Sequence, residues 1–167
     1  MDINGWDRKK GWTGLHYASK KGHVKIVDFL IRNGADLRKW SRKNTSLRGS
    51  SFQRGRTTAL TLASRHGRLD VMKMLIENGA DLNQANKFNK IPLHDAILKD
   101  AGFESVKMLI ENGSNVNTRI GSNCFDSFEK RRAPLDLSCA KGQLKICALL
   151  LKNGANPNDG IPLIIAC

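Results

Sequence analysis

The chain has 167 residues, with 28 Lys or Arg against 15 Asp or Glu and a formal net charge of +13. Such a length supports one domain with a substantial core, and a hydrophobic content of 40% is that of a globular chain rather than a disordered one. No run approaches the ~18 consecutive apolar residues of a membrane span, and the opening MDINGWDRKK lacks an apolar signal core, which argues against a membrane protein and against secretion.

The first patterned segment, TGLHYASKKGHVKIVDFLIRNGAD from Thr13, predicts two short helices. Thr13 is a capping residue, Leu15 and Ala18 form an apolar face, and Gly22 turns the chain. Val24, Ile26, Val27, Leu30 and Ile31 then recur at helical spacing, and Gly34 ends the second helix in the left-handed conformation. From Arg38 to Arg56 runs a connector, RKWSRKNTSLRGSSFQRGR, with seven Lys or Arg and no acid. A second copy of the pattern, TALTLASRHGRLDVMKMLIENGAD, starts at Thr58 with Leu60, Ala63, Gly67 and Gly79 in the same roles. The third, IPLHDAILKDAGFESVKMLIENGSN from Ile91, places Pro92 at the first helical position, where a missing N–H costs nothing. Another long connector, TRIGSNCFDSFEKRR, covers Thr118 to Arg132, and the fourth copy, APLDLSCAKGQLKICALLLKNGAN, follows from Ala133. A fifth begins as IPLIIA at Ile161.

The equivalent position recurs at 13, 58, 91, 133 and 161, in steps of 45, 33, 42 and 28. Insertions in surface connectors are tolerated because loop-closure entropy grows only logarithmically with length. With starts such as TGLHYA and IPLHDA, the four aligned copies resemble the ankyrin repeat over nearly the whole chain. The resemblance implies an all-α solenoid of helix-turn-helix units with hairpin loops, two of them enlarged. It implies one domain over 1–167, with repeats near 10–42, 55–87, 88–118 and 130–158 and a partial one at 159–167. Each helix pair has too little core to fold alone, so neighbours must stack. Asp2-Ile3-Asn4 matches the repeat tail Asp81-Leu82-Asn83, which together with the incomplete fifth copy points to a slice of a longer array.

The resemblance also implies binding through a concave face, at hairpin residues before each Thr slot and residues ending each first helix. Those positions are Lys9, Lys10, Trp12, Lys20 and Lys21; Arg54, Gly55, Thr57, Arg65 and His66; Lys87, Phe88, Lys90, Leu98 and Lys99; and Glu129, Lys130, Arg132, Ala140 and Lys141. Twelve of these twenty are Lys or Arg, and one is acidic. Charge of one sign gathered by structural slot adds self-repulsion unless it serves an anionic partner. The basic connector extends the same face.

Enzyme chemistry finds no footing. No G-x-x-x-x-G-K-[ST], G-x-S-x-G or H-E-x-x-H motif occurs. His16 and His94 occupy the ankyrin signature slot, where a structural hydrogen bond is expected, and His23 lies in a Gly-His turn. Neither a metal nor a cofactor is implied. Cys124, Cys139, Cys147 and Cys167 have no CxxC spacing and read as buried free thiols of a reducing compartment.

Two partners fit a basic groove on a monomeric module of the cytosol or nucleus. The first is an acidic segment of a protein. The second is a nucleotide or single-stranded nucleic acid, whose bases would stack on outward aromatic rings at Trp12 and Phe88. The run from GWTGLHYA through GADLRKWSRK to RTTALTLA resembles the ankyrin domain of the oligoadenylate-activated ribonuclease (RNase L) family. That resemblance implies a 2′,5′-oligoadenylate-like ligand with Trp12 stacked on adenine, so that truncating Trp12 would cost affinity and little stability. It places a second contact at Ser41, among Arg38, Lys39, Trp40 and Arg42. Two residues depart from the family pattern: Ser41 is not basic, and Tyr17 stands where the family has an acid. Tyr17 thus joins the expected binding set.

Overall fold

The computed structural model describes residues 2–42, 56–121 and 132–158, and eight α-helices form within them. They come in pairs: α1 (Gly14–Lys21) with α2 (Val24–Arg32), α3 (Ala59–Arg65) with α4 (Leu69–Glu77), α5 (Pro92–Leu98) with α6 (Phe103–Glu111), and α7 (Pro134–Ala140) with α8 (Leu144–Lys152). Packing runs along two rows. Helices α1, α3, α5 and α7 touch in sequence, as do α2, α4, α6 and α8, which is the layout of the expected solenoid. Leu15, Leu60, Leu93 and Leu135 bury against these neighbours, with Ala18, Ala63 and Ala96 giving close approach. The second row contributes Val27, Met72, Leu75, Val106, Leu109 and Leu150.

Helix starts carry the interactions that join repeats. Thr13 Oγ1 accepts the His16 N–H (3.4 Å), and the Thr13 N–H donates to His16 Nδ1 (3.2 Å). Because Nδ1 accepts, the proton sits on Nε2, which donates to the Thr57 carbonyl of the following repeat (3.0 Å). His94 has the same tautomer: the Ile91 N–H donates to Nδ1 (3.2 Å), and Nε2 donates to the Thr118 carbonyl (2.8 Å) at the end of its own repeat. In the second copy Thr58 caps Thr61 instead, and in the fourth Asp136 accepts the Ala133 N–H (2.8 Å).

At the other end of each pair, Gly34 takes φ 81° and donates to the Ile31 carbonyl (3.0 Å), while Ala35 donates to Leu30 (2.9 Å). This Schellman closure returns at Gly79, Gly113 and Gly154. Asparagines then clip successive tails together. Asn83 Nδ2 donates to the Gly113 carbonyl (3.1 Å) and its Oδ1 accepts the Asn115 N–H (2.7 Å), and Asn4 and Asn117 repeat the pair of bonds.

Both long connectors are closed at their bases. Ser41 N–H donates to the Thr57 carbonyl (2.8 Å), and Thr57 N–H returns to Ser41 Oγ (3.0 Å). In the second, Ile120 N–H donates to Arg132 (3.1 Å). One expectation needs correction. Cys139 is exposed and Cys147 only half-buried, with their sulfurs 3.4 Å apart, because this end of α7 and α8 is not packed under another described helix. Cys124 and Cys167 lie outside the described residues.

The histidine joints make stability depend on pH. Burial pushes His94 down to about 4, against the opposing pull of its Thr118 bond, and lowers His16 in the same direction. An unfolded histidine titrates near 6.5, so the stabilisation from a neutral His94 is complete above that pH and is lost as the pH falls through about 4. For His94 alone the difference amounts to about 3 kcal/mol at pH 7. Thermal melts should therefore show a falling midpoint between pH 7 and 4. His94→Ala should lower the midpoint at pH 7 and flatten that acid limb.

Candidate functional site

The C-terminal ends of the first-row helices carry Lys20 and Lys21 on α1, then Arg65 and His66 on α3, with Lys99 after α5 and Lys141 after α7. Cations there also suit the negative end of each helix dipole. The hairpins add exposed Lys9, Lys10 and Lys87, and half-buried Lys90 and Arg132. At the base of the first connector, Arg38 and Arg42 are exposed, while Lys39 and Trp40 are half-buried. Arg54 and Lys130 fall outside the described residues.

His66 reports the potential of this face. Burial lowers its pKa first, and the charges of Lys20, Arg65 and Arg68 lower it further. These three cations come from two repeats and are drawn together by the bond from Arg68 Nε to the Lys20 carbonyl (3.2 Å). The imidazole is thereby held neutral in a positive field.

Arg65 is not the unattached contact residue that its slot suggests. Its Nη2 donates to Asp95 Oδ1 at 2.9 Å, and the Asp95 side chain is 5% exposed. The pair braces the second repeat on the third, and removing the arginine would strand a buried carboxylate. Lys141 is held similarly, 2.5 Å from Asp100, which also accepts from Gln143 (2.6 Å). The bond from Lys141 keeps the Asp100 carboxyl below its usual range.

The aromatic platforms expected at Trp12 and Phe88 are not open surfaces: Trp12 is 3% exposed and Phe88 6%. The hairpin folds Trp12 onto α1. Asp7 Oδ1 accepts the backbone N–H of both Lys10 and Trp12 at 2.9 Å, and the indole packs on His16 and Tyr17. Lys10 and Lys20 place their Nζ atoms 5.1 and 5.5 Å from the ring centroid. Tyr17 donates its hydroxyl to Asp7, and burial with that carboxylate beside it pushes the phenol up to about 12. Partial burial alone would raise Asp7, but bonds from Tyr17 and from the Trp12, Lys10 and Gly11 amides keep it lowered. Lys87 Nζ lies 4.5 Å from the Phe88 ring.

An open aromatic ring beside the connector base is Trp6, 41% exposed. Its Nε1–H donates to the Trp40 carbonyl (3.2 Å), with Lys39 Nζ 4.1 Å and the Arg42 guanidinium 5.2 Å from its ring. Trp6 is one of three tryptophans in the first forty residues, all outside the helix core pattern, and the same slot in the second copy is an exposed Ala85, where no core role calls for an indole.

A profile for ankyrin repeats in three copies matches residues 1–86 and 43–120, and a single ankyrin repeat matches 130–160. The chain belongs to the ankyrin-repeat family. Over 36 residues it is 42% identical to ankyrin repeat domain-containing protein 40 of Homo sapiens and, equally, of Mus musculus. Those matches cover 22% of this chain and 10% of each relative. Ankyrin repeats are protein–protein interaction modules and in general carry no catalysis. In this one, both ring nitrogens of His16 and His94 engage groups of the fold itself. Among the described residues, no helix is long and apolar enough to cross a membrane.

Within this ankyrin stack Trp12 is a packing residue. Trp12→Ala should cost about 3–5 kcal/mol of stability, read as a lowered urea midpoint.

Proposed function

We propose that this ankyrin module docks an acidic segment of a protein partner on its basic concave face, with the first connector extending the contact. The observation that carries the reading is the convergence of Lys20, Arg65 and Arg68 from two repeats around a neutral His66. A carboxylate arriving there meets the positive field of Lys20 and Arg68, Arg65 being already paired with Asp95, and supplies their counter-charge. The nucleotide alternative loses its main support, because the ring it needed at Trp12 is packed against His16 and Tyr17.

Fluorescence anisotropy with labelled poly-glutamate tests the reading. Affinity should fall steeply with added salt, as expected for contacts between exposed charges. Lys20→Glu and Lys21→Glu should each weaken binding by about fivefold or more, while Lys73→Glu on α4, already beside Glu77 (4.0 Å), should leave it unchanged. Arg65 is a poor probe because of its Asp95 bond. An NMR titration should show the His66 pKa rising on binding, as the partner's negative charge offsets the three cations. Equal losses from Lys21→Glu and Lys73→Glu would defeat the proposal.

A further inference from the structure

We infer that Trp6 and the connector base around it form an anchor for the partner, and that the docked segment carries an aromatic residue flanked by carboxylates. The inference rests on the acidic-partner reading and adds what charge alone does not specify.

Several features meet at this point of the surface. The Trp6 indole has spent its one donor on the Trp40 carbonyl, so the exposed remainder of the ring makes no polar demand and offers only apolar and π surface. Lys39 and Arg42 lie over that ring at 4.1 and 5.2 Å, and exposed Arg38 is one residue along the chain from Lys39. Of the acids nearest in sequence, Asp36 uses Oδ1 to accept the Arg38 N–H (2.9 Å), and Asp7, beside Trp6, accepts from the Lys10 and Trp12 amides and the Tyr17 hydroxyl.

The backbone under the cluster is fixed on three sides. Ser41 and Thr57 exchange two hydrogen bonds, Arg42 N–H donates to the Gly11 carbonyl (2.7 Å), and Gln84 Nε2 holds the Arg38 carbonyl (2.9 Å). At Gly11 a Cβ would lie 2.6 Å from the Arg42 carbonyl oxygen, so the two hairpins meet in contact that admits only glycine. A ligand here finds its contacts already placed, and little ordering remains to be done on binding.

Repeat register adds a further mark. Trp6 and Trp40 occupy the same slot in successive tails, where the second copy has Ala85 and the third Arg119. Exposed tryptophan with cationic neighbours is the composition of interface hot spots. Carboxylates alone would engage Lys39 and Arg42 yet leave the Trp6 ring in water. An aromatic side chain next to those carboxylates covers the ring while the acids hold the cations.

The experiment compares poly-glutamate with a random glutamate–tyrosine copolymer carrying the same number of glutamates, by anisotropy at low salt. The tyrosine-bearing polymer should bind about tenfold more tightly. Trp6→Ser should abolish that advantage and leave poly-glutamate binding unchanged, whereas Trp6→Phe, which keeps a ring, should retain most of it. Lys39→Ser with Arg42→Ser should weaken both polymers. Melting curves confirm that each variant is folded, and Trp6→Leu, which keeps apolar bulk but no ring and should lose most of the advantage, decides the matter if Trp6→Ser is not. Equal binding of the two polymers, or an advantage that survives Trp6→Ser, overturns the anchor while leaving the acidic-partner reading intact. Failure of both polymers to bind overturns the reading and the anchor together.

Discussion

A pair of helices, one of seven or eight residues and the other of nine, leaves one apolar side uncovered, and in this chain the next pair covers it. Everything else in the structure is arranged around that dependence. Leu60 and Leu93 are almost completely buried because each has a repeat on either side, whereas Ile26 and Leu144, on helices at the two ends of the described stack, are 49% and 79% exposed. The inter-repeat hydrogen bonds do not supply the drive for stacking. They fix its register, since a buried histidine N–H that missed its carbonyl would go unpaired at a cost of about 1–3 kcal/mol.

The same dependence explains how the first connector can grow without harm. Neighbouring repeats touch through helices and hairpin bases, and the Ser41–Thr57 pair shuts the base before the extra residues begin. The His16 joint reaches Thr57, just beyond the insertion, so it holds whatever the connector's length. A long basic segment can then be carried at the binding face as a function-bearing appendage with little demand on the core.

The fold was legible because repetition reveals itself: four copies with capping threonines or prolines, apolar rows and closing glycines leave little freedom. Charge by slot was legible for the same reason. What sequence reading missed depends on contacts between distant residues. Asp7 gathers the amides that fold Trp12 onto α1, and nothing local to Trp12 announces this. Arg65 meets Asp95 thirty positions away, which turns a supposed contact residue into a brace. Trp6 was legible as a residue without a core role, since the same slot two tails further on is an exposed Ala85; its neighbours Trp40, Lys39 and Arg42, more than thirty positions away, were not.

The three joints of the stack are chemically unlike. The first is a neutral imidazole bond, His16 to Thr57. The second adds a charged brace, Arg65 to Asp95. The third is the Lys141–Asp100 contact, while a second imidazole bond, His94 to Thr118, ties the third repeat to its own tail. As an elastic body the protein is therefore a spring with unequal couplings. Acid loosens the couplings that rest on the His16 and His94 imidazoles, and with them the spacing between cations on the first helices.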